Sequence, residues 1–259
     1  MAGVKREEGN FIKFLGTAGA RFVMIKQLRA SGGLWVSSGQ ANVLIDPGPG
    51  SIVRCAASRP KLDPGKLDAI VLTHRHLDHA NDINVMIEAM TEGGFRKRGI
   101  VFCPADALSD DPVILKYASG FPESIRVIEA RRRYKAGDFG FATSMRHIHP
   151  SQTYGLKFSI KGKSIGLIAD TRYFPELADF YKTDILIIPV VFYEPRKGID
   201  HLSLNDAGEL IKRVRPEKAI ITHFGMGMLK AGPSRQAERL SCSCGIEVAA
   251  AYDGMRVDF

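Results

Sequence analysis

The sequence predicts an α/β fold in which two β-sheets pack face to face and helices cover the outer faces. Three observations carry this. Short apolar, partly β-branched runs such as residues 69–73 and 184–188 recur along the chain and have the length of buried strands. Runs with helical spacing alternate with them. Both halves of the chain repeat the style of strands followed by helices, and a two-sheet core with helices outside buries all of their apolar faces.

Residues 11–15 read as the opening strand. Residues 34–36 lead to a second, 42–45, which stops at Asp46-Pro47-Gly48-Pro49-Gly50, a turn on composition alone. The run 69–73 is a buried strand that ends at His74. A helix is expected after His79, because Ile83, Met86, Ile87 and Met90 fall at helical spacing and Gly93-Gly94 ends it. Residues 156–160 and 164–169 flank a turn at Lys161-Gly162-Lys163 and read as a hairpin. After the strand 184–188, Ser203-x-x-Asp206 resembles a capping box with Asp in place of Glu. The helix it opens carries Leu204, Ala207, Ile211 and Val214 on one face and stops at Arg215-Pro216. Residues 219–222 form a last strand, which delivers His223.

The chain has 259 residues, 45% of them hydrophobic, enough for one large α/β domain or two small ones. No apolar run reaches the roughly 18 residues that span a bilayer, and the first residues carry no apolar signal core, so the expectation is a cytoplasmic protein with no membrane partner. Cys55, Cys103, Cys242 and Cys244 form no Cys-x-x-Cys pair and read as reduced thiols. The formal charge of +8 favours acidic partners such as phosphates, nucleic acid or anionic metabolites. Much of it comes from Arg96-Lys97-Arg98 and from Arg131-Arg132-Arg133-Tyr134-Lys135. A solvated basic surface is the plainest use of these clusters, and no interleaved aromatics mark a platform for single strands. Oligomeric state leaves no mark in the sequence.

Three of the seven histidines lie within residues 74–79, directly after a buried strand. Imidazole nitrogens and a carboxylate converging at a strand end form the donor set that zinc takes. No ordinary packing need explains so many histidines there.

The run Thr73-His74-Arg75-His76-Leu77-Asp78-His79 resembles the His-x-His-x-Asp-His signature of the metallo-β-lactamase superfamily. The resemblance extends over nearly the whole chain. Phe14-Leu15-Gly16-Thr17 and Leu44-Ile45-Asp46-Pro47-Gly48-Pro49-Gly50 resemble the family's opening strand and Asp-x-Gly turn. His149-Pro150-Ser151-Gln152-Thr153-Tyr154-Gly155 resembles the third histidine motif, with its Gly six residues on. Ile168-Ala169-Asp170-Thr171 and Ile221-Thr222-His223-Phe224 resemble the bridging-aspartate and last histidine motifs. The resemblance implies a single domain over 1–259 with an αββα four-layer sandwich of two mixed β-sheets and helices on the outer faces. It implies two divalent metal ions, zinc first, with Mn2+ or Fe2+ as alternatives. His74, His76 and His149 would hold one ion, Asp78, His79 and His223 the other, and Asp170 would bridge them. His147 competes with His149, and the spacing to Gly155 favours His149, leaving His147 on the pocket wall. Asp46 would be buried and support the ligands.

His201-Leu202-Ser203-Leu204-Asn205-Asp206 resembles the non-ligand histidine motif of the tRNase Z and cyclic phosphodiesterase branches. The catalytic residues implied are Asp78 and His201, with a metal-bridged hydroxide as nucleophile and His201 as general acid. The expected substrate is a small, phosphate-containing anion, specifically a small or cyclic phosphodiester. A carboxylic ester, lactone or thioester is the alternative, and a metal-binding accessory or sensor without turnover is another. The sequence departs from tRNase Z in two places. Only 20 residues, spent on a hairpin, separate His149 from Asp170, where tRNase Z carries a long tRNA-gripping arm. Phe224-Gly225-Met226-Gly227-Met228 replaces the Ser-x-Arg-Tyr type of ending. Both argue against tRNA as a partner.

Overall fold

The computed structural model describes residues 9–259. Strands β1 (Phe11–Phe14), β2 (Leu34–Ser38), β3 (Ala41–Ile45), β4 (Ala69–Val71), β5 (Ile100–Cys103) and β6 (Ser124–Val127) belong to the first half. With them run helices α1 (Ala20–Ile25), α2 (Ser51–Ala57), α3 (Leu77–Ala80) and α4 (Ile83–Met90). The second half holds β7 (Arg133–Ala136), β8 (Phe139–Arg146), β9 (Tyr154–Ile160), β10 (Lys163–Leu167), β11 (Ile185–Pro189), β12 (Lys218–Thr222) and β13 (Glu247–Ala250). Its helices are α5 (Leu177–Phe180), α6 (Leu204–Val214), α7 (Met226–Ala231) and α8 (Pro233–Cys244), and β14 (Arg256–Asp258) closes the chain.

The strands form two sheets, ordered β14-β1-β2-β3-β4-β5-β6 and β13-β12-β11-β10-β9-β8-β7 among the described residues. Both are mixed, and both follow one plan. An antiparallel meander (β1, β2, β3 or β8, β9, β10) is followed by three parallel steps, β3-β4-β5-β6 or β10-β11-β12-β13. The last strand, β14, returns to pair antiparallel with β1 and completes the first sheet.

Three apolar layers hold four structural ones. Alternation along each central strand sends side chains to two cores, so these strands read as unbroken apolar runs. In β3, Val43 and Ile45 face the space between the sheets, where they meet Phe102, Phe141 and Phe158, whereas Leu44 faces Ile83, Met86, Ile87 and Met90 of α4. In β11, Ile185 and Ile187 point between the sheets, and Leu186 and Ile188 meet Leu210, Ile211 and Leu240 of α6 and α8. Each such fully buried side chain contributes about 1.5–3 kcal/mol of transfer free energy. The expected αββα sandwich is the observed architecture.

The capping box before α6 forms as read. Asp206 N donates to Ser203 Oγ at 3.3 Å, and Ser203 N donates to Asp206 Oδ2 at 2.8 Å. Arg215 adopts a left-handed conformation (φ 52°) before Pro216 and ends the helix. The basic clusters have structural uses. Arg98 donates to the carbonyls of Gly65 and Leu67 and lies 3.5 Å from Asp68, pinning the loop that leads into β4. Arg133 and Lys135 stand exposed on β7, an outer strand of its sheet, where charge discourages edge-to-edge pairing. Among the described residues no helix is long and apolar enough to cross a membrane.

Candidate metal centre

The parallel strands aim their carboxyl ends at one place, the usual position of a ligand site in such sheets. From β3 the chain runs into Asp46, from β4 into His74, from β10 into Asp170 and from β12 into His223. His149 arrives after β8, and His201 from the loop before α6.

Strand β4 ends at Val71, and Leu72 and Thr73 carry the chain on to His74. His76 caps the single helical turn α3, whose first turn presents Asp78 and His79 back toward His74. Asp46 organises this loop. Its Oδ1 accepts from Thr73 N at 2.7 Å, and its Oδ2 accepts from Thr73 Oγ1 at 2.7 Å and pairs with His79 Nδ1 at 3.0 Å. Asp46 is itself held in a left-handed conformation (φ 53°) by the turn it opens. Gly48 completes that turn for a steric reason: a Cβ there would lie 2.0 Å from Ser31 O and 2.1 Å from Asp78 O. The Asp-x-Gly turn therefore packs its backbone directly against the loop that carries Asp78.

Two groups of donor atoms result. One nitrogen each from His74, His76 and His149 lies within 4.8 Å of the others, and the same holds for Asp78, His79, Asp170 and His223. Asp46 also lies that close to His74 and His79, but both its oxygens already accept hydrogen bonds. Asp170 stands between the groups. Its Oδ2 is 3.7 Å from His74 Nε2, 3.5 Å from His79 Nε2 and 3.5 Å from His201 Nδ1, and its Oδ1 is 3.4 Å from His223 Nε2.

Around Asp170 the atoms that face this centre lack partners, whereas His149 Nε2 and His76 Nδ1 lie 3.0 Å from each other. His74 Nε2, His79 Nε2, His223 Nε2, His201 Nδ1 and Asp170 Oδ1 are buried without a hydrogen bond. Leaving such a group unsatisfied costs about 1–3 kcal/mol each, so their convergence calls for a shared partner. Nitrogen and oxygen donors in this proportion fit divalent transition metals. The outer nitrogens are engaged: His74 Nδ1 with Thr73 Oγ1 at 3.1 Å, His79 Nδ1 with Asp46, and His149 Nδ1 with the Asp200 carbonyl at 3.0 Å. These contacts orient each ring with its other nitrogen inward.

Burial lowers the pKa of His74, His76 and His149, so these imidazoles are neutral at pH 7 with a lone pair to give. Burial also opposes charge on His79, but the Asp78 and Asp170 carboxylates outweigh it and raise His79 well above its usual value. Asp170 would be pushed up by burial, yet His223, His201 and His79 hold it well below the carboxylate range. This half of the centre draws positive charge to itself, as a proton or as a cation.

His147 stands apart from both donor groups. It is 2% exposed, with Nε2 2.9 Å from Tyr181 Oη and Nδ1 3.3 Å from the Asp170 carbonyl, and burial lowers its pKa to about 4. Gly155 makes room for this arrangement, because a Cβ there would fall 1.6 Å from Tyr181 Oη.

Several supporting residues carry no signal in the sequence. Thr73 and the Asp200 carbonyl act on ligand-type histidines, and Tyr181 acts on His147. Asp253 accepts from Thr17 N, Thr17 Oγ1 and Ala30 N at 2.9, 2.7 and 2.8 Å. It thereby clamps the loop after β1 against the segment that carries His223, since Phe224 N donates to Thr17 O at 2.9 Å. A lone Asp near the chain end shows nothing of this.

Comparison with known proteins agrees with this geometry. The model of the beta-lactamase superfamily domain matches residues 41–224. An uncharacterised protein of Methanocaldococcus jannaschii is 32% identical over 255 residues, covering 95% of this chain and 94% of its own. The crystal structure of the metallo-β-lactamase fold protein YhfI from Bacillus subtilis superposes with a TM-score of 0.79 at 21% identity, covering 97% of this chain and 100% of that one. A diphosphatase from the PhnP family superposes with a TM-score of 0.72 at 18% identity, covering 96% and 97%. With the family model spanning most of the chain and all the motif loops meeting at one centre, this chain belongs to the metallo-β-lactamase superfamily of metal-dependent hydrolases.

Proposed function

We propose that the centre binds two divalent metal ions, preferably zinc, and hydrolyses a small or cyclic phosphodiester. His74, His76 and His149 would hold one ion and Asp78, His79 and His223 the other, with the Asp170 carboxylate standing between the two groups. The observation that carries this reading is the ring of buried, unpartnered nitrogens around Asp170. Such ions supply an acidified water for attack at neutral pH and positive charge for the developing oxyanion.

The chain's own residues do the rest. His201 Nδ1 is buried 3.5 Å from Asp170 Oδ2, which leaves Nε2 as the nitrogen to meet a substrate. Burial lowers the His201 pKa, so the ring is neutral before substrate arrives; Nε2 must take a proton from solvent, which the charge of an arriving phosphodiester anion favours, before it can act as an acid. From Nε2 a proton can pass to the departing oxygen. The neighbouring His149 ring, 5.2 Å away between centroids, and the Phe192 ring, 6.0 Å away, fix the position of His201.

Two further features support a small phosphorylated substrate. The solved relative from the PhnP family is a diphosphatase. The segment between His149 and Asp170, where the resemblance puts the tRNA-gripping arm of tRNase Z, is here spent on the β9–β10 hairpin. Protein loaded with zinc or manganese should turn over bis-p-nitrophenyl phosphate, and His201→Ala should lose that activity while keeping its metal. Turnover of lactones alone would instead select the carboxylic-ester reading.

A further inference from the structure

A cleft of about 400 Å³ opens beside the metal centre, between α1, residues 191–196 and the start of α7. Its walls are continuous with the centre. Gly19 N donates to Phe224 O at 3.0 Å, next to His223, and the Phe192 ring on the opposite wall lies 6.0 Å from that of His201. A substrate held at the centre can extend one of its groups past the Phe192 ring into this cleft.

The lining is aromatic to an extent the fold does not require. Phe22 is 65% exposed and Tyr193 is 37% exposed, although solvent-facing positions of this kind can be polar at no cost to the core. Isolated exposed apolar residues need no explanation, but two exposed aromatic rings in one cleft present a stacking surface. The rim carries one charge of each sign, the Glu194 carboxylate and the Arg196 guanidinium; the latter lies 5.0 Å over the Phe192 ring, a flat cation that can face an anionic group. The floor is bare. Gly225 can carry no side chain, because a Cβ would lie 2.4 Å from Val191 O, whereas a Cβ on Gly227 would meet nothing nearer than 3.7 Å. The space above Gly227 is therefore free for a ligand, and no packing within the fold keeps it so.

We propose that this cleft is the specificity subsite for one ester arm of the substrate and takes a flat aromatic ring, stacked against Phe22 and Tyr193 with Arg196 facing the adjoining phosphoryl charge. The substrate class is thus an aryl or heteroaryl phosphodiester rather than a dialkyl one. This rests on the phosphodiester reading above. Gly227 sets the depth of the subsite, and Phe22 and Tyr193 position the ring without touching the reacting atoms.

Calorimetric binding to the metal-loaded His201→Ala protein, which should keep its metal without consuming the diester, tests it with bis-p-nitrophenyl phosphate and diethyl phosphate, and with an aryl and an alkyl lactone as a pair lacking phosphorus. That protein should bind the diaryl diester about tenfold more tightly than the dialkyl one, and the further substitutions are made in the same background. Gly227→Leu, which fills the cleft, should abolish that preference with metal content unchanged, and Phe22→Ala and Tyr193→Ala should each reduce it several-fold. Equal binding of aryl and alkyl members in both pairs, or a preference that survives Gly227→Leu, overturns the subsite. An aryl preference among lactones with no diester binding keeps the subsite and sinks the phosphodiester reading, and binding of no compound counts against both.

Discussion

His79 Nδ1 lies 3.0 Å from Asp46 Oδ2, and that contact decides which nitrogen of His79 faces the centre. With Nδ1 taken by the carboxylate, Nε2 points to Asp78 and Asp170, at 3.6 and 3.5 Å. Removing a carboxylate of this kind typically costs 10–100-fold in metal affinity. Asp46→Asn should therefore weaken metal on the His79 side by about that factor and metal on the His74 side, which Asp46 reaches only through Thr73, by less. A titration against a chromophoric chelator reads this directly; two equally weakened sites would mean that Asp46 acts on the whole fold.

The two histidines that compete for the third ligand position predict opposite outcomes. His149→Ala should lose metal from the His74–His76 side. His147→Ala should keep both metals but lose about 1–3 kcal/mol of stability, because it opens a cavity and removes a hydrogen bond from the buried Tyr181 hydroxyl. Metal analysis and denaturant unfolding of the two variants separate these cases, and metal loss in His147→Ala would reverse the assignment.

Gly48→Ala should be destabilising by about 1–3 kcal/mol or more, as overpacking is. The new Cβ meets the backbone carbonyls of Ser31 and Asp78, neither of which can swing away as a side chain could. Relief would displace Asp78, so metal on that side should weaken along with the melting temperature. Gly227→Ala serves as the control, since its Cβ meets only ordinary contacts, and it should melt like wild type.

The cysteines divide by burial. Burial pushes the Cys55 and Cys103 thiols up to about 12, whereas Cys242 is exposed. In native protein at pH 8 a thiol reagent should label Cys242 quickly and leave Cys55 and Cys103 untouched until the chain unfolds. The same shift has a consequence for stability. An unfolded chain releases these protons near pH 9 and the folded chain near 12, so stability falls as pH rises through that window.

What the sequence made legible follows from burial. Strands β3, β4, β11 and β12 are covered on both faces, so their composition alone marks them. The outer strands β6 and β7 carry exposed charged or polar residues, and β7 presented itself as a basic cluster. Helix α8 buries only Gln236, Ala237 and Leu240, too few to stand out from a polar segment. At the centre, the histidines and Asp170 were legible because their chemistry is rare and their motifs local. Asp253 and the Asp200 carbonyl were not, because each acts through a backbone group or across a long stretch of chain, which leaves no pattern in the residues nearby; Thr73 stood in the motif, but its bonds to Asp46 cross 27 residues and left no mark.

Seven side chains converge around Asp170, and the proposal is that they hold two metal ions. Anomalous diffraction from crystals of zinc-loaded protein tests it most directly. Two peaks should flank Asp170, one among His74, His76 and His149 and one among Asp78, His79 and His223, with both lost in Asp170→Ala or reduced to one. A single peak in the wild type, or peaks at other residues, would contradict it.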